Sequence, residues 1–247
     1  MKCIYPNWPA PRNIRALTTT RLHGVSEVPY KSMNLANHVG DDEAAVMANR
    51  QLICQREALP QMPVWLNQIH STDVVDISNV RTSRQPFNAD ASYTNTMKTV
   101  CAVLTADCLP VLFCSLSGDE VAASHAGWRG LCGGILENTI KHFHCDPSQI
   151  MAWLGPAIGV QVFEVGIEVK QQFELYDPDA SSAFQLINPH EKKYLADLYL
   201  LAKQRLKRLG ISQIYGGEYC TYQQNDLFFS YRREKQTGRM ASMIWIE

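Results

Sequence analysis

The strongest pattern along the chain is a series of short apolar runs separated by polar turn residues. Runs at 99–104, 110–116 and 120–124 are rich in Val, Leu, Ala and Cys. Thr105-Ala106-Asp107-Cys108 and Ser117-Gly118-Asp119 interrupt them, and runs bounded in this way predict strands. Further strands are predicted at 63–68, 73–77, 150–154, 213–215, 227–231 and 240–246. Two stretches carry helical spacing instead. Gly127-Trp128-Arg129-Gly130 opens one, with Leu131, Ile135, Ile140 and Phe143 on its apolar face. The other spans 194–209, where Leu195, Leu198, Ala202, Leu206 and Leu209 recur at three and four, and Gly210 supplies the stop. Loops are expected at 21–26 with Pro29, at 81–88 and at 177–182. No repeat, low-complexity tract or Gly/Ser linker divides the chain, so residues 1–247 read as one domain. Strands and helices intermix with hairpin-like neighbours, which predicts an α+β fold with mixed sheets flanked by helices.

Composition narrows the function classes. At 247 residues, with 46% hydrophobic and 19% charged, the chain is neither disordered, collagen-like nor a coiled coil. Its 23 basic and 24 acidic residues nearly cancel, which argues against nucleic acid or an anionic membrane as partner. The apolar stretches at 100–104 and 109–114 are too short to cross a bilayer. Residues 1–9 carry prolines where a signal peptide has its apolar core, so the expected location is cytoplasmic. No protein partner is evident, and a small-molecule substrate is expected. Eight cysteines are scattered without a CxxC pair, which reads as reduced thiols, mostly inert and in the core.

Three residues sit where predicted strands end. His70 follows Val64-Trp65-Leu66, Cys108 follows Val103-Leu104, and His125 follows Val121-Ala122-Ala123-Ser124. Two imidazoles and a thiolate match the three-ligand set of a catalytic zinc with an open fourth position. The same trio also suits a Cys-His nucleophilic pair with a second histidine, or simply a buried thiol with two hydrogen-bonded histidines. Arg129, in the first turn of a helix, opposes the helix dipole. Beside Gly127 and Gly130 it fits a phosphate or carboxylate site, and equally a pairing with a nearby acid. Asp107 is either a turn residue, a partner that orients a histidine, or a general base.

Thr105-Ala106-Asp107-Cys108-Leu109-Pro110, Ser124-His125-Ala126-Gly127-Trp128-Arg129-Gly130 and Trp153-Leu154-Gly155-Pro156-Ala157-Ile158-Gly159 closely resemble the bacterial YfiH family. Its members are also called laccase-domain proteins, purine nucleoside phosphorylases or peptidoglycan editing factors. Asn67-Gln68-Ile69-His70, Asn88-Ala89-Asp90-Ala91 and Phe229-Ser230-Tyr231-Arg232-Arg233 extend the resemblance over essentially the whole chain. The resemblance implies a layered sandwich related to cysteine hydrolases, and zinc held by His70, Cys108 and His125. It also implies phosphorolysis of adenosine, inosine and methylthioadenosine, and deamination of adenosine. The alternative is a Cys108-dependent amidase that edits cell-wall precursors carrying the wrong amino acid. Copper could occupy the zinc site by affinity. A multicopper phenol oxidase fits poorly, because the chain has seven histidines and one HxH pair, His142-Phe143-His144. Two positions depart from the family's usual pattern: Ser71 replaces a glycine, and His23 precedes Gly24.

Overall fold

The structure, a computed structural model, describes residues 3–80 and 86–247. A six-stranded mixed sheet contains β4 (Val74–Asp76), β6 (Ala91–Thr94), β8 (Leu109–Ser115), β9 (Val121–Ala126), β10 (Ile150–Leu154) and β14 (Gln213–Gly216), in the order β14-β10-β8-β9-β6-β4. Its centre is antiparallel, and parallel pairs close both edges. An antiparallel four-stranded sheet runs β1 (Cys3–Ile4), β2 (Ile14–Thr19), β15 (Met240–Ile246) and β7 (Cys101–Thr105). Two small sheets complete the set. β3 (Leu66–Asn67) pairs with β5 (Phe87–Asn88), while β11 (Glu164–Gly166), β13 (Lys193–Ala196) and β12 (Phe184–Asn188) form an antiparallel trio. The helices are α1 (Glu43–Arg56), α2 (Trp128–Gly133), α3 (Ile135–Ile140), α4 (Ile167–Tyr176), α5 (Leu198–Arg208) and α6 (Tyr231–Glu234).

Strand alternation assigns each apolar run to two cores at once. Cys101 and Val103 of β7 meet Leu112 and Cys114 of β8, Val121 and Ala123 of β9, and Ile244 of β15 between the two large sheets. Ala102 and Leu104 point the other way, toward Met243 and Ile53 of α1. Leu109, Val111 and Phe113 join Leu131, Ile135, Leu201 and Leu206 on the helical side of the larger sheet. The layers therefore run helix, sheet, sheet, helices. Both faces of both sheets are sealed, so the strands read as continuous apolar runs.

Several boundaries differ from the sequence reading. The helix expected at 194–209 begins at Leu198, because Asp197 caps it through the Leu200 N–H and residues 193–196 pair as β13. Gly210 closes it at φ +92. The helix opened by Gly127 is two short helices, broken where Gly134 takes φ +102. Residues 227–231 form no strand. Phe228 and Phe229 fill the core between the sheets, and Ser230 caps α6. The strand expected at 63–68 shrinks to β3, with Val64 bridging Cys101. Residues 178–183 form a 3-10 helix rather than open loop. Of the loop expected at 81–88, residues 81–85 lie outside the described residues, while Phe87–Asn88 is β5. Helix α1 had no counterpart in the sequence reading. Its buried positions include Asn49 and Arg50 beside Val46 and Ile53, which blurs the apolar stripe.

Gly134 has room for a side-chain carbon, since an added Cβ would meet nothing closer than Glu137 Oε2 at 3.5 Å. The cost of Gly134→Ala is therefore conformational, about 1–2 kcal/mol for a left-handed residue. Thermal melting should show a drop of several degrees in Tm. An unchanged melt would mean that the break between α2 and α3 is not fixed by this conformation.

Candidate functional site

The chain crosses from the four-stranded sheet (β7) to the six-stranded sheet (β8) within residues 106–108. This reversal places Asp107 at φ +95. Asp107 is buried and fully engaged: its carboxylate accepts from Thr221 Oγ1 and from the Arg232 N–H, each at 2.6 Å, and its carbonyl accepts from Ile158 N–H at 2.9 Å. The next residue, Cys108, is thereby held at the mouth of the inter-sheet crossing.

Register supplies the second element. Leu109 pairs with Ala126, so Cys108 faces Gly127 across the β8/β9 ladder. His125 lies within β9 rather than beyond its end, and it is buried. A Cβ on Gly127 would approach Cys108 Sγ to 3.0 Å and His70 Nδ1 to 3.1 Å. Gly127 is thus the gap into which thiol and imidazole close.

His70 comes from the loop after β3 and takes φ +59. Asp90, fully buried, explains that conformation. Its carboxylate accepts the N–H groups of Ile69, His70 and Ser71 at 3.1, 3.1 and 2.7 Å, and the Ser71 hydroxyl at 3.0 Å. The same carboxylate lies 2.7 Å from His125 Nδ1, and the Asp90 carbonyl accepts the His125 N–H at 2.7 Å. One buried acid therefore sets the loop of the first histidine and the ring of the second.

The imidazoles of His70 and His125 meet edge-on with centroids 4.9 Å apart. One ligand atom each from His70, Cys108 and His125 lie within 4.8 Å of one another. Four-coordinate zinc spaces such ligands by about 3.5 Å, so a small contraction would close the set. Because Asp90 occupies Nδ1 of His125, Nε2 is left for an ion, the usual carboxylate–histidine–metal arrangement. Burial pulls the His125 pKa down, but the Cys108 and Asp90 charges outweigh it and hold it at about 9. Burial would also raise the Asp90 carboxyl, yet the His125 contact and the Ser71 donors keep it below its ordinary value. His70 is shifted down, by burial first and then by the His125 charge.

A cavity of about 430 Å³ opens over these ligands. Phe163, Leu198, Ile158, Trp128 and Tyr231 provide its apolar and aromatic wall; Arg129, Arg232 and Arg239 provide its cationic side, beside His38. Arg129 is exposed and stacks on Trp128 at 4.4 Å, and among the described residues it forms no ion pair. The acid pairing considered for Arg129 thus has no partner here. Asp107 lines the cavity but touches neither histidine; the orienting acid is Asp90. Sequence reasoning had Asp90 inside a quoted motif without its role, and it missed Arg239 and His38. Ser71 replaces glycine by adding a hydroxyl donor to Asp90. His23 does not line the cavity.

Fold and site define an α+β sandwich protein in which two inter-strand connections and strand β9 bring together a His-Cys-His set beneath a cationic, aromatic pocket. Residues 15–247 match the family described as multi-copper polyphenol oxidoreductase laccase, and the chain belongs to it. It is 55% identical over 247 residues to a Haemophilus influenzae protein named purine nucleoside phosphorylase, covering all of both chains. It is 54% identical over 248 residues to Escherichia coli purine nucleoside phosphorylase YfiH, covering 99% of each. A crystal structure of a Neisseria meningitidis protein shares 50% identity and a TM-score of 0.95 over the full length of both chains.

Replacing His70, Cys108 or His125 with Ala should each abolish stoichiometric metal binding, measured by elemental analysis, because two ligands remain. Cys101→Ser and Cys114→Ser, both deep in the inter-sheet core, should retain metal and lose only stability. Metal loss in either would point to a different thiol. Asp90→Asn should weaken metal affinity by roughly 10–100-fold through the freed His125 ring; an unchanged affinity in competition with a chelator would remove Asp90 from the site.

Proposed function

We propose that this chain is a zinc-dependent purine nucleoside enzyme that phosphorolyses adenosine, inosine and methylthioadenosine and deaminates adenosine. The observation carrying this reading is the His70–Cys108–His125 set opening into a cavity with aromatic walls and unpaired arginine. A volume of about 430 Å³ lies in the usual range for small-ligand sites. The relatives named purine nucleoside phosphorylase support the class of reaction, phosphorolysis of purine nucleosides. Residues 1–247 act as one domain in this reading, in the cytoplasm; no helix among the described residues is long and apolar enough to cross a membrane.

The donor set suits zinc, because two imidazoles and one thiolate leave a fourth position open. Bound there, the metal would supply Lewis acidity and lower the pKa of a bound water. The chain's own residues do the rest. Asp90 keeps the His125 ring directed at the site. Arg129 attracts phosphate, whose oxygen joins C1′ of the ribose as the bond from C1′ to the purine nitrogen breaks. The electron pair leaves with the purine, which takes up a proton. In deamination, water adds at C6 and ammonia departs. The Tyr231 and Phe163 rings line the same cavity and offer apolar surface to a purine.

Copper could bind the same ligands by affinity. Oxidation of phenols by several coppers has less support, since one group of ligands among the described residues is spaced to hold an ion. His144, from the HxH pair, is bonded to Glu120 at 2.9 Å instead. The Cys-dependent amidase is favoured by one specific feature: His125 stands between Asp90 and Cys108, in the order orienter, base, nucleophile. Metal content during turnover separates the two chemistries.

The direct test is metal analysis followed by phosphate-dependent release of adenine from adenosine. Metal-free protein that is fully active on an amide would overturn the nucleoside reading. Arg129→Ala should raise the phosphate KM several-fold with metal content and melting temperature unchanged. Arg129→Lys should recover part of the loss, because a point charge cannot reproduce a bidentate contact. A drop in Tm with normal phosphate dependence would make Arg129 structural.

A further inference from the structure

The cationic side of the cavity has three arginines, and they are not equivalent. Both Nη groups of Arg232 reach backbone carbonyls, Val162 O at 3.5 Å and Glu164 O at 3.2 Å. Arg129 is exposed and stacked on its neighbour. Arg239 is half-buried and immediately precedes β15, whose first residue, Met240, pairs with Thr105 just before the Cys108 crossing. Its backbone N–H is fixed by Asn34 Oδ1 at 3.0 Å. Its Nη1 donates to Thr237 O at 2.8 Å and Gly238 O at 3.1 Å. Nε and Nη2 have no hydrogen-bond partner, and no carboxylate pairs with the guanidinium among the described residues.

We propose that Arg239 is the inner anchor for the phosphate co-substrate, presenting its free Nε–Nη2 edge as a fork to two phosphate oxygens, with Arg129 as the outer cation. The inference rests on the nucleoside reading only for the identity of that anion. A half-buried guanidinium whose Nε–Nη2 edge bonds to no carboxylate has lost part of its hydration, so an anion arriving there supplies a direct partner. Burial lowers the pKa of Arg239, in keeping with that loss, while the Cys108 and Asp107 charges nearby act against it. The edge left free is the one that matches phosphate geometry, whereas Nη1 is spent on fixing the side chain. Arg239 and Arg129 line one cavity with His70, Cys108 and His125, and Arg239 is the more buried of the two. Phosphate held at Arg239 would therefore stand against the ligand set rather than out at the rim.

Calorimetric titration of inorganic phosphate into the metal-loaded protein tests this directly. Arg239→Gln should weaken the phosphate Kd by roughly 10–100-fold, the loss expected for hydrogen bonds to a charged group. Arg239→Lys should fall between Arg239→Gln and wild type. A phosphate Kd within twofold of wild type in a folded Arg239→Gln protein would overturn the proposal. If that variant does not fold, Arg239→Lys decides: its fork is gone, so an unchanged Kd overturns the proposal and a several-fold loss upholds it. Phosphate binding that depends on Arg239 without purine release from any nucleoside would keep the anion site and overturn the nucleoside reading. Turnover with unaltered phosphate affinity in Arg239→Gln would do the reverse.

Discussion

The Asp90 carboxylate is the contact on which the site depends. A fully buried acid that accepts three backbone N–H groups, one hydroxyl and one imidazole leaves few lone pairs unused. Such an acid is costly to bury unless it is satisfied in this way. The N–H groups of residues 69–71 can converge on it only if the backbone turns through the left-handed conformation at His70. Strain in the loop, orientation of His125 and the closeness of two rings thus share a single cause.

The two sheets supply what Asp90 cannot. Cys108 reaches the site because the chain changes sheets at residues 106–108, and the Asp107 carboxylate anchors that crossing to Thr221 and Arg232. Gly127 then leaves room for the thiol because β8 and β9 pair in a register that sets residues 108 and 127 opposite each other. Sealing both faces of both sheets makes these strand ends stiff, and stiff ends can hold side chains from distant parts of the chain within ångströms.

Much of this was legible in the sequence, and the exceptions have physical causes. The strands 150–154 and 240–246 appear with their expected bounds because buried runs ended by polar residues admit few alternatives. Phe228 and Phe229 resembled a strand because core filling and strand pairing draw on the same residues; only packing separates them. Helix α1 was hidden because Asn49 faces inward to bond Val25, Ser26, Ser32 and Asn34. Within the site, His70, Cys108 and His125 were visible by residue type. Their convergence was not, since it depends on sheet register and on the Asp90 network. Asp107 drew attention as the acid next to Cys108, yet its carboxylate serves the fold. Acids that orient ligands are chosen by geometry, not by nearness in sequence.

The remaining tension concerns how one set of lone pairs is used. With His125 Nδ1 committed to Asp90, the ring has a single nitrogen left. That nitrogen can bind a metal or take a proton from Cys108, but not both at once. The Cys108 sulfur faces the same choice between ion and proton. Metal coordination and a free Cys-His pair are therefore mutually exclusive states of one arrangement, and Asp90 stabilises both. An imidazole held protonated up to about pH 9 while the metal is absent must give up that proton to bind an ion, so metal binding is coupled to proton release. The chemistry the pocket performs is then set by which occupant wins, and the arginines on its cationic side remain to attract an anion in either state.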